Sequence, residues 1–94
     1  MNNIYRNRDF YLSAFLISKG CKLIGTSKEN PTTTLFEFED TVELRKLVDE
    51  YYTMNATTEV LAFVSSIRSL KSVIHATDTN TGKFNNGNRF INNR

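Results

Sequence analysis

The run Asp9-Phe10-Tyr11-Leu12-Ser13-Ala14-Phe15-Leu16-Ile17-Ser18-Lys19-Gly20 opens with a residue suited to an N-cap and closes with one suited to the C′ position, Lys19 lying just inside it. Between them stand Phe10, Tyr11, Leu12, Ala14, Phe15, Leu16 and Ile17. At helical spacing these residues leave almost no polar face. A helix apolar on nearly every side must be buried on nearly every side. The run therefore predicts a central helix that the rest of the chain has to cover.

Downstream, Lys22 to Lys28 has strand character, with Leu23 and Gly25 on one face and Ile24 on the other. Glu29-Asn30-Pro31 is a turn signal. Thr32 to Glu39 then alternates, pointing Phe36 and Phe38 one way and Leu35, Glu37 and Glu39 the other. The two segments predict an antiparallel hairpin with a loop of moderate length. Asp40 and Glu43 have capping-box spacing, with Asp in the usual Ser or Thr place. Behind them Leu44, Leu47, Val48 and Tyr51 form an i, i+3, i+4, i+7 stripe, with Tyr52 at its margin and Glu43, Arg45, Lys46, Asp49 and Glu50 facing outward. Asn55-Ala56-Thr57-Thr58 breaks this second helix and supplies a new N-cap, and Glu59 in the first turn suits the helix dipole. The third helix is expected to run to about His75, with Val60, Phe63, Val64, Ile67, Leu70 and Ile74 on its apolar face.

Thr77 to Arg94 differs from everything before it. It holds Asn80, Asn85, Asn86, Asn88, Asn92 and Asn93, and its large apolar residues are Phe84, Phe90 and Ile91. Such a segment buries too little surface to offset its ordering entropy alone. The expected architecture is therefore α+β in the order helix, antiparallel β-hairpin, two helices (αββαα). Residues 1–76 form one small domain, and residues 77–94 form a polar arm that is flexible or ordered by a partner. A lone two-stranded hairpin is barely stable, so either a second subunit extends the sheet or the arm adds strands. A homodimer is the default expectation.

With 39% hydrophobic and 23% charged residues in 94, the composition is that of one globular domain. A chain this short buries about 60–65% of its unfolded surface, which leaves a marginal core. The single thiol, Cys21, cannot build an internal disulfide framework, which implies a reducing compartment. Met1 to Arg8 is polar and basic, and Phe10 to Ile17 is too short for a signal peptide or a membrane span. A soluble intracellular protein is expected, in the host cytoplasm if it is viral. The net charge of +2 hides a segregation: residues 1–36 carry +3, residues 37–61 carry −5 and residues 62–94 carry +4. Two basic segments flanking an acidic one suit a folded dipole or charge-matched association.

The Asp9–Gly20 run, together with Phe36-Glu37-Phe38-Glu39-Asp40, Tyr51-Tyr52 and Arg68-Ser69-Leu70-Lys71-Ser72, resembles a family of small domains of unknown function found in bacteria, archaea and their viruses. The resemblance spans roughly Tyr5 to Ile74 and excludes the arm. Cys21 departs from it, standing where a His would follow the Gly. The family implies the domain limits and no activity. With the Asn-rich composition, it also implies a phage or mobile-element origin.

No motif specifies a chemistry. Cys21 and His75 are the one conceivable nucleophile and base, but a Cys at the start of a strand is more simply a small buried hydrophobe. Glu37, Glu39 and Asp40 offer oxygen ligands without any metal-binding spacing, so no metal and no cofactor is expected. Gly20 and Gly25 fit no phosphate-cradling loop. Tyr51 reads as core with its hydroxyl at the rim, leaving Tyr52 the more available for stacking. The strongest hint is the third helix. Ser65, Arg68, Lys71, Ser72 and His75 follow i, i+3, i+4 steps, and no Asp or Glu occurs from Val60 through Ala76. Bases mixed with hydroxyls are what phosphate contact needs. The plainer alternative is a solvated face, or pairing of Arg68 and Lys71 with Asp49 and Glu50.

The expected function is a small non-catalytic accessory binding protein with nucleic acid as partner. It would use the third helix and basic ends carrying Arg6, Arg8, Lys83, Arg89 and Arg94. The alternative is a protein–protein interaction module, a viral assembly subunit or an inhibitor of a host factor. That module would use Phe84, Phe90 and Ile91 of the arm and the acidic face of the second helix.

Overall fold

A computed structural model describes the backbone of residues 3–81 and the side chains of residues 3–76. The expected central helix is α1 (Phe10–Ser18), and both of its ends are closed as its sequence predicts. Asp9 Oδ1 accepts from the Leu12 N–H at 3.0 Å. At the other end Gly20 has φ +99°, and the N–H groups of Gly20 and Cys21 donate to the carbonyls of Ile17 and Leu16. These are the paired bonds of a Schellman stop, and they need a left-handed residue at the glycine position. Leu12, Ser13, Ala14, Phe15 and Leu16 are all buried.

The cover begins with a sheet. Strands β1 (Ile4–Asn7), β2 (Leu23–Asn30) and β3 (Thr33–Glu39) form a three-stranded antiparallel sheet in the order β1-β3-β2. The α+β class and the β2–β3 hairpin are as expected; β1 is a correction. Met1 to Arg8 reads as a polar basic end, yet Tyr5 pairs with Phe38 and Asn7 with Phe36. Tyr5 packs against the core, and Arg6 points from the other face. The third strand that the hairpin lacks thus comes from the chain's own N-terminus. This removes the argument for a second subunit or for strands from the arm. β1 and β2 both run antiparallel to the central β3, so α1 is the crossover joining two outer strands that are parallel to each other. Phe36 and Phe38 face α1 and are fully buried.

Three further details differ. The hairpin turn is only Pro31-Thr32, tighter than the expected loop, because Asn30 Oδ1 accepts from both the N–H and the hydroxyl of Thr32 at 3.0 Å. β2 carries a bulge between Leu23 and Gly25, which leaves Ile24 exposed. The N-cap of α2 (Val42–Tyr52) is Thr41, whose hydroxyl accepts from Leu44 N–H at 3.0 Å. Asp40 instead takes both arms of the Arg45 guanidinium, at 2.7 and 2.6 Å. A planar guanidinium matches two carboxylate oxygens at once, and that pairing outcompetes a cap.

α2 buries Leu44 and rests Leu47, Val48 and Tyr51 on the core. The Tyr51 ring stands 5.8 Å from that of Phe15. α3 (Val60–Thr81) packs along α1. It runs past the expected end near His75 because no Gly or Pro occurs before Gly82. Its buried positions are Ser66 and Leu70, with Phe63, Ile67 and Ile74 beside them. Ser66 returns its hydroxyl to the Ala62 carbonyl at 2.9 Å, so burial costs it little. Val60, expected on the apolar face, is 71% exposed.

Candidate nucleic-acid interface

Helix α3 presents two faces at 100° per residue. One carries Phe63, Ser66, Ile67, Leu70 and Ile74 into the core. The adjoining one carries Ser65, Arg68, Lys71, Ser72 and His75, all exposed. The structure thus brings together on one helix surface the five residues singled out from sequence. Among the described residues, none of the five makes a side-chain hydrogen bond or an ion pair. The expected competition from Asp49 and Glu50 is not seen, because α3 packs on α1 rather than along α2. At the helix start the Glu59 carboxylate accepts from the N–H groups of Leu61 and Ala62, at 3.2 and 2.8 Å, and caps the first turn. The nearest acid on α3's N-terminal side is therefore engaged with backbone.

Elsewhere three arginines are paired with carboxylates. Arg6 Nε donates to Glu37 Oε2 at 2.8 Å, and this hydrogen bond holds the Glu37 carboxyl below the usual carboxylate range. Arg8 meets Glu29 at 3.3 Å, and Arg45 meets Asp40. The Asp40 carboxyl is lowered by its hydrogen bonds from Arg45. The Arg45 guanidinium also lies 5.8 Å from the centroid of the Tyr5 ring. Arg6 and Arg8, read as part of a flexible basic end, are held on the sheet instead. The rest of that expectation, Lys83, Arg89 and Arg94, lies outside the described residues, as do Phe84, Phe90 and Ile91.

Sequence reasoning missed a groove at the hairpin end of the molecule. It has a volume of about 510 Å³. Its polar lining is Arg8, Lys28 and Thr32 to Thr34, and its apolar lining includes Phe10, Phe36 and Ile74. Four separate segments contribute, which no local pattern shows. The threonine run next to Lys28 was the available signal. Lys28 Nζ donates to Thr34 Oγ1 at 3.2 Å.

The remaining candidates are less suggestive. Cys21 is half-buried, and burial pushes its thiol up, opposite to what an activated thiolate needs. It lines a second groove of about 420 Å³ with Lys19, Lys22, Glu39 and Leu47, and His75 is not part of that lining. Glu37 and Glu39 share a sheet face, and Glu37 is committed to Arg6. Tyr51 is core-lining, and Tyr52 is exposed with its hydroxyl 3.5 Å from Asp9 Oδ2. No helix among the described residues is long and apolar enough to cross a membrane.

Over residues 2–76 the chain matches the family described as Domain of unknown function (DUF5659), and it belongs to that family. The match encloses the Tyr5 to Ile74 span of the sequence resemblance. No curated protein and no solved structure matches the chain.

Proposed function

We propose that this member of a family of unknown function is a non-catalytic accessory protein that binds the phosphate backbone of nucleic acid. The observation that carries the reading is the outer face of α3. Arg68 and Lys71 stand exposed and unpaired among the described residues, flanked by Ser65, Ser72 and His75, while Arg6, Arg8 and Arg45 are each met by a carboxylate. A cation that is not neutralised within the fold is available to displace counterions from phosphates. The serine hydroxyls add hydrogen-bond donors, and contacts of this kind position a protein without reading sequence.

Mobility-shift titrations of wild type and of Arg68→Ala combined with Lys71→Ala, at two salt concentrations, test this. The double variant should bind more weakly on every sequence tried, and its salt slope should fall by about 1.4–1.8, from two lost counterions. Its melting temperature should not change, because both side chains lie off the core. A wild type that binds neither single- nor double-stranded nucleic acid at about 10–50 μM protein and low salt, where even non-specific binding is normally visible, overturns the proposal.

One observation favours a protein partner instead. Val60 and Leu61 at the start of α3 are 71% and 72% exposed, side by side. In that reading the wild type retains no DNA or RNA near physiological salt, and Leu61→Ser removes complex formation.

A further inference from the structure

Helix α3 stands proud of the fold. It has 22 residues against nine in α1, its main packing partner. Ser18 Oγ lies 2.7 Å from Thr58 Oγ1, and Lys19 Nζ donates to the Thr57 carbonyl at 3.1 Å, so α3 starts beside the end of α1. Phe10 and Ile74 line one groove, so the two helices run antiparallel. The α3 backbone then continues from Ile74 to Thr81, about two turns past the start of α1. At 100° per residue the solvent side of α3 divides into two stripes. Arg68, Lys71 and His75 form one, and Ser65, Ser69 and Ser72 form the other; all six are exposed. No Asp or Glu occurs from Val60 through Ala76. Neither stripe holds a Phe, Tyr or Trp: Phe63 packs on the core, and the exposed Tyr11 and Tyr52 belong to α1 and α2.

Resting on the reading of α3 as a phosphate-binding face, we infer that α3 lies in the major groove of a B-form DNA duplex. Several forms of nucleic acid offer phosphates to Arg68 and Lys71, and the shape of the face separates them. A single strand is held by stacking its bases on aromatic rings, and these two stripes carry no Phe, Tyr or Trp to stack on. An A-form RNA duplex has a major groove too deep and narrow for side chains to enter. The major groove of B-DNA is about 12 Å wide, and one α-helix with its side chains measures about 10–12 Å across. The serine stripe faces the groove floor, where short side chains let the helix backbone approach and a hydroxyl suits either a donor or an acceptor on a base edge. The basic stripe lies to one side of it and reaches the phosphates of one strand. From Ser65 to His75 the contact runs about 15 Å along the helix axis.

Fluorescence anisotropy on the full chain, with a labelled DNA duplex, its separated strand and an RNA duplex of the same sequence and length, tests this. Wild type should bind the DNA duplex most tightly of the three. Ser72→Trp leaves the charge unchanged and puts bulk where the groove floor comes. It should weaken DNA-duplex binding by about tenfold without weakening single-strand binding or lowering the melting temperature. A duplex carrying glucosylated 5-hydroxymethylcytosine, whose sugars fill the major groove, should lose binding, while netropsin in the minor groove should not displace the protein. Single-strand or RNA-duplex affinity equal to that for the DNA duplex, with the Arg68 and Lys71 variant impaired on all of them, sinks the groove inference and leaves the proposed function standing. Unchanged binding to the glucosylated duplex does the same. No binding of any nucleic acid removes both.

Discussion

Helices α1 and α3 are both rich in apolar residues and pack on each other, yet they serve opposite ends. α1 has the sheet on one side and α3 on another, so Leu12, Ala14, Phe15 and Leu16 are all buried, and within the helix Tyr11 alone, 57% exposed, stands open to solvent. α3 spends one face on α1 and keeps the other in solvent, where its bases stand. The difference follows from where each helix sits in the fold rather than from how many apolar residues it carries. A crossover helix between two outer strands must lie across the sheet, whereas a C-terminal helix can only cover what has already been placed. The proposed function accordingly rests on the solvent face of α3.

The sharpest way to break the comparison is at its centre. Phe15→Ala, at a residue with 2% exposure, should cost about 3–5 kcal/mol in urea denaturation and should leave little folded protein in so small a domain. A loss below about 1 kcal/mol would mean that α1 is not the element the others cover. Next in size are the helix stops. α1 and α2 end in the same pair of bonds, since the N–H groups of Met54 and Asn55 donate to Tyr51 and Glu50 as those of Gly20 and Cys21 do to Ile17 and Leu16. The left-handed residue is glycine in one and Met54, at φ 64°, in the other. Gly20→Ala should destabilise by about 1–2 kcal/mol, although no atom lies within 4 Å of where its Cβ would sit, because the backbone itself is strained there. Met54, 91% exposed, should gain about 0.5–1 kcal/mol as Met54→Gly, read by thermal melting.

The smallest effect separates the paired bases from the unpaired ones. Glu37 is lowered in the folded state by its hydrogen bond from Arg6. A carboxyl whose folded value lies below its unfolded one contributes stability that is fully present above the unfolded value, about 4.3 for Glu, and is lost as pH falls through the folded one. Arg6→Ala should therefore reduce stability at pH 7 by less than about 1 kcal/mol and flatten the acid limb of the stability curve. Arg68→Ala should leave that curve unchanged, which denaturation at pH 7 and in the acid limb would check. An altered acid limb in Arg68→Ala would show that Arg68 has a carboxylate partner after all.

Much of this was legible in short stretches of chain. The ends of α1 were readable because Asp9 and Gly20 act through backbone groups three to five residues away. The inward face of β3 was readable because alternation puts Phe36 and Phe38 on one side whatever lies beside them. The α3 stripe was readable for the same reason, since helical spacing alone groups Arg68, Lys71 and His75. Other features depended on partners distant in the chain. Ile4-Tyr5-Arg6-Asn7 is too short and too polar to announce a strand, and it becomes one only because β3 presents unpaired edge groups and Glu37 receives Arg6. The cap of α2 passed from Asp40 to Thr41 because Arg45 and Tyr5 claim the Asp40 corner. The groove needs Arg8, Lys28, Thr34 and Ile74 to meet, and they belong to segments that periodicity treats one at a time. The sequence by itself determined the elements held together by bonds within a few residues and by the repeat of helix or strand. Only the tertiary structure decided the third strand, the pairing of Arg6 with Glu37 and of Arg8 with Glu29, and the groove, because each is held by contacts between residues tens of positions apart.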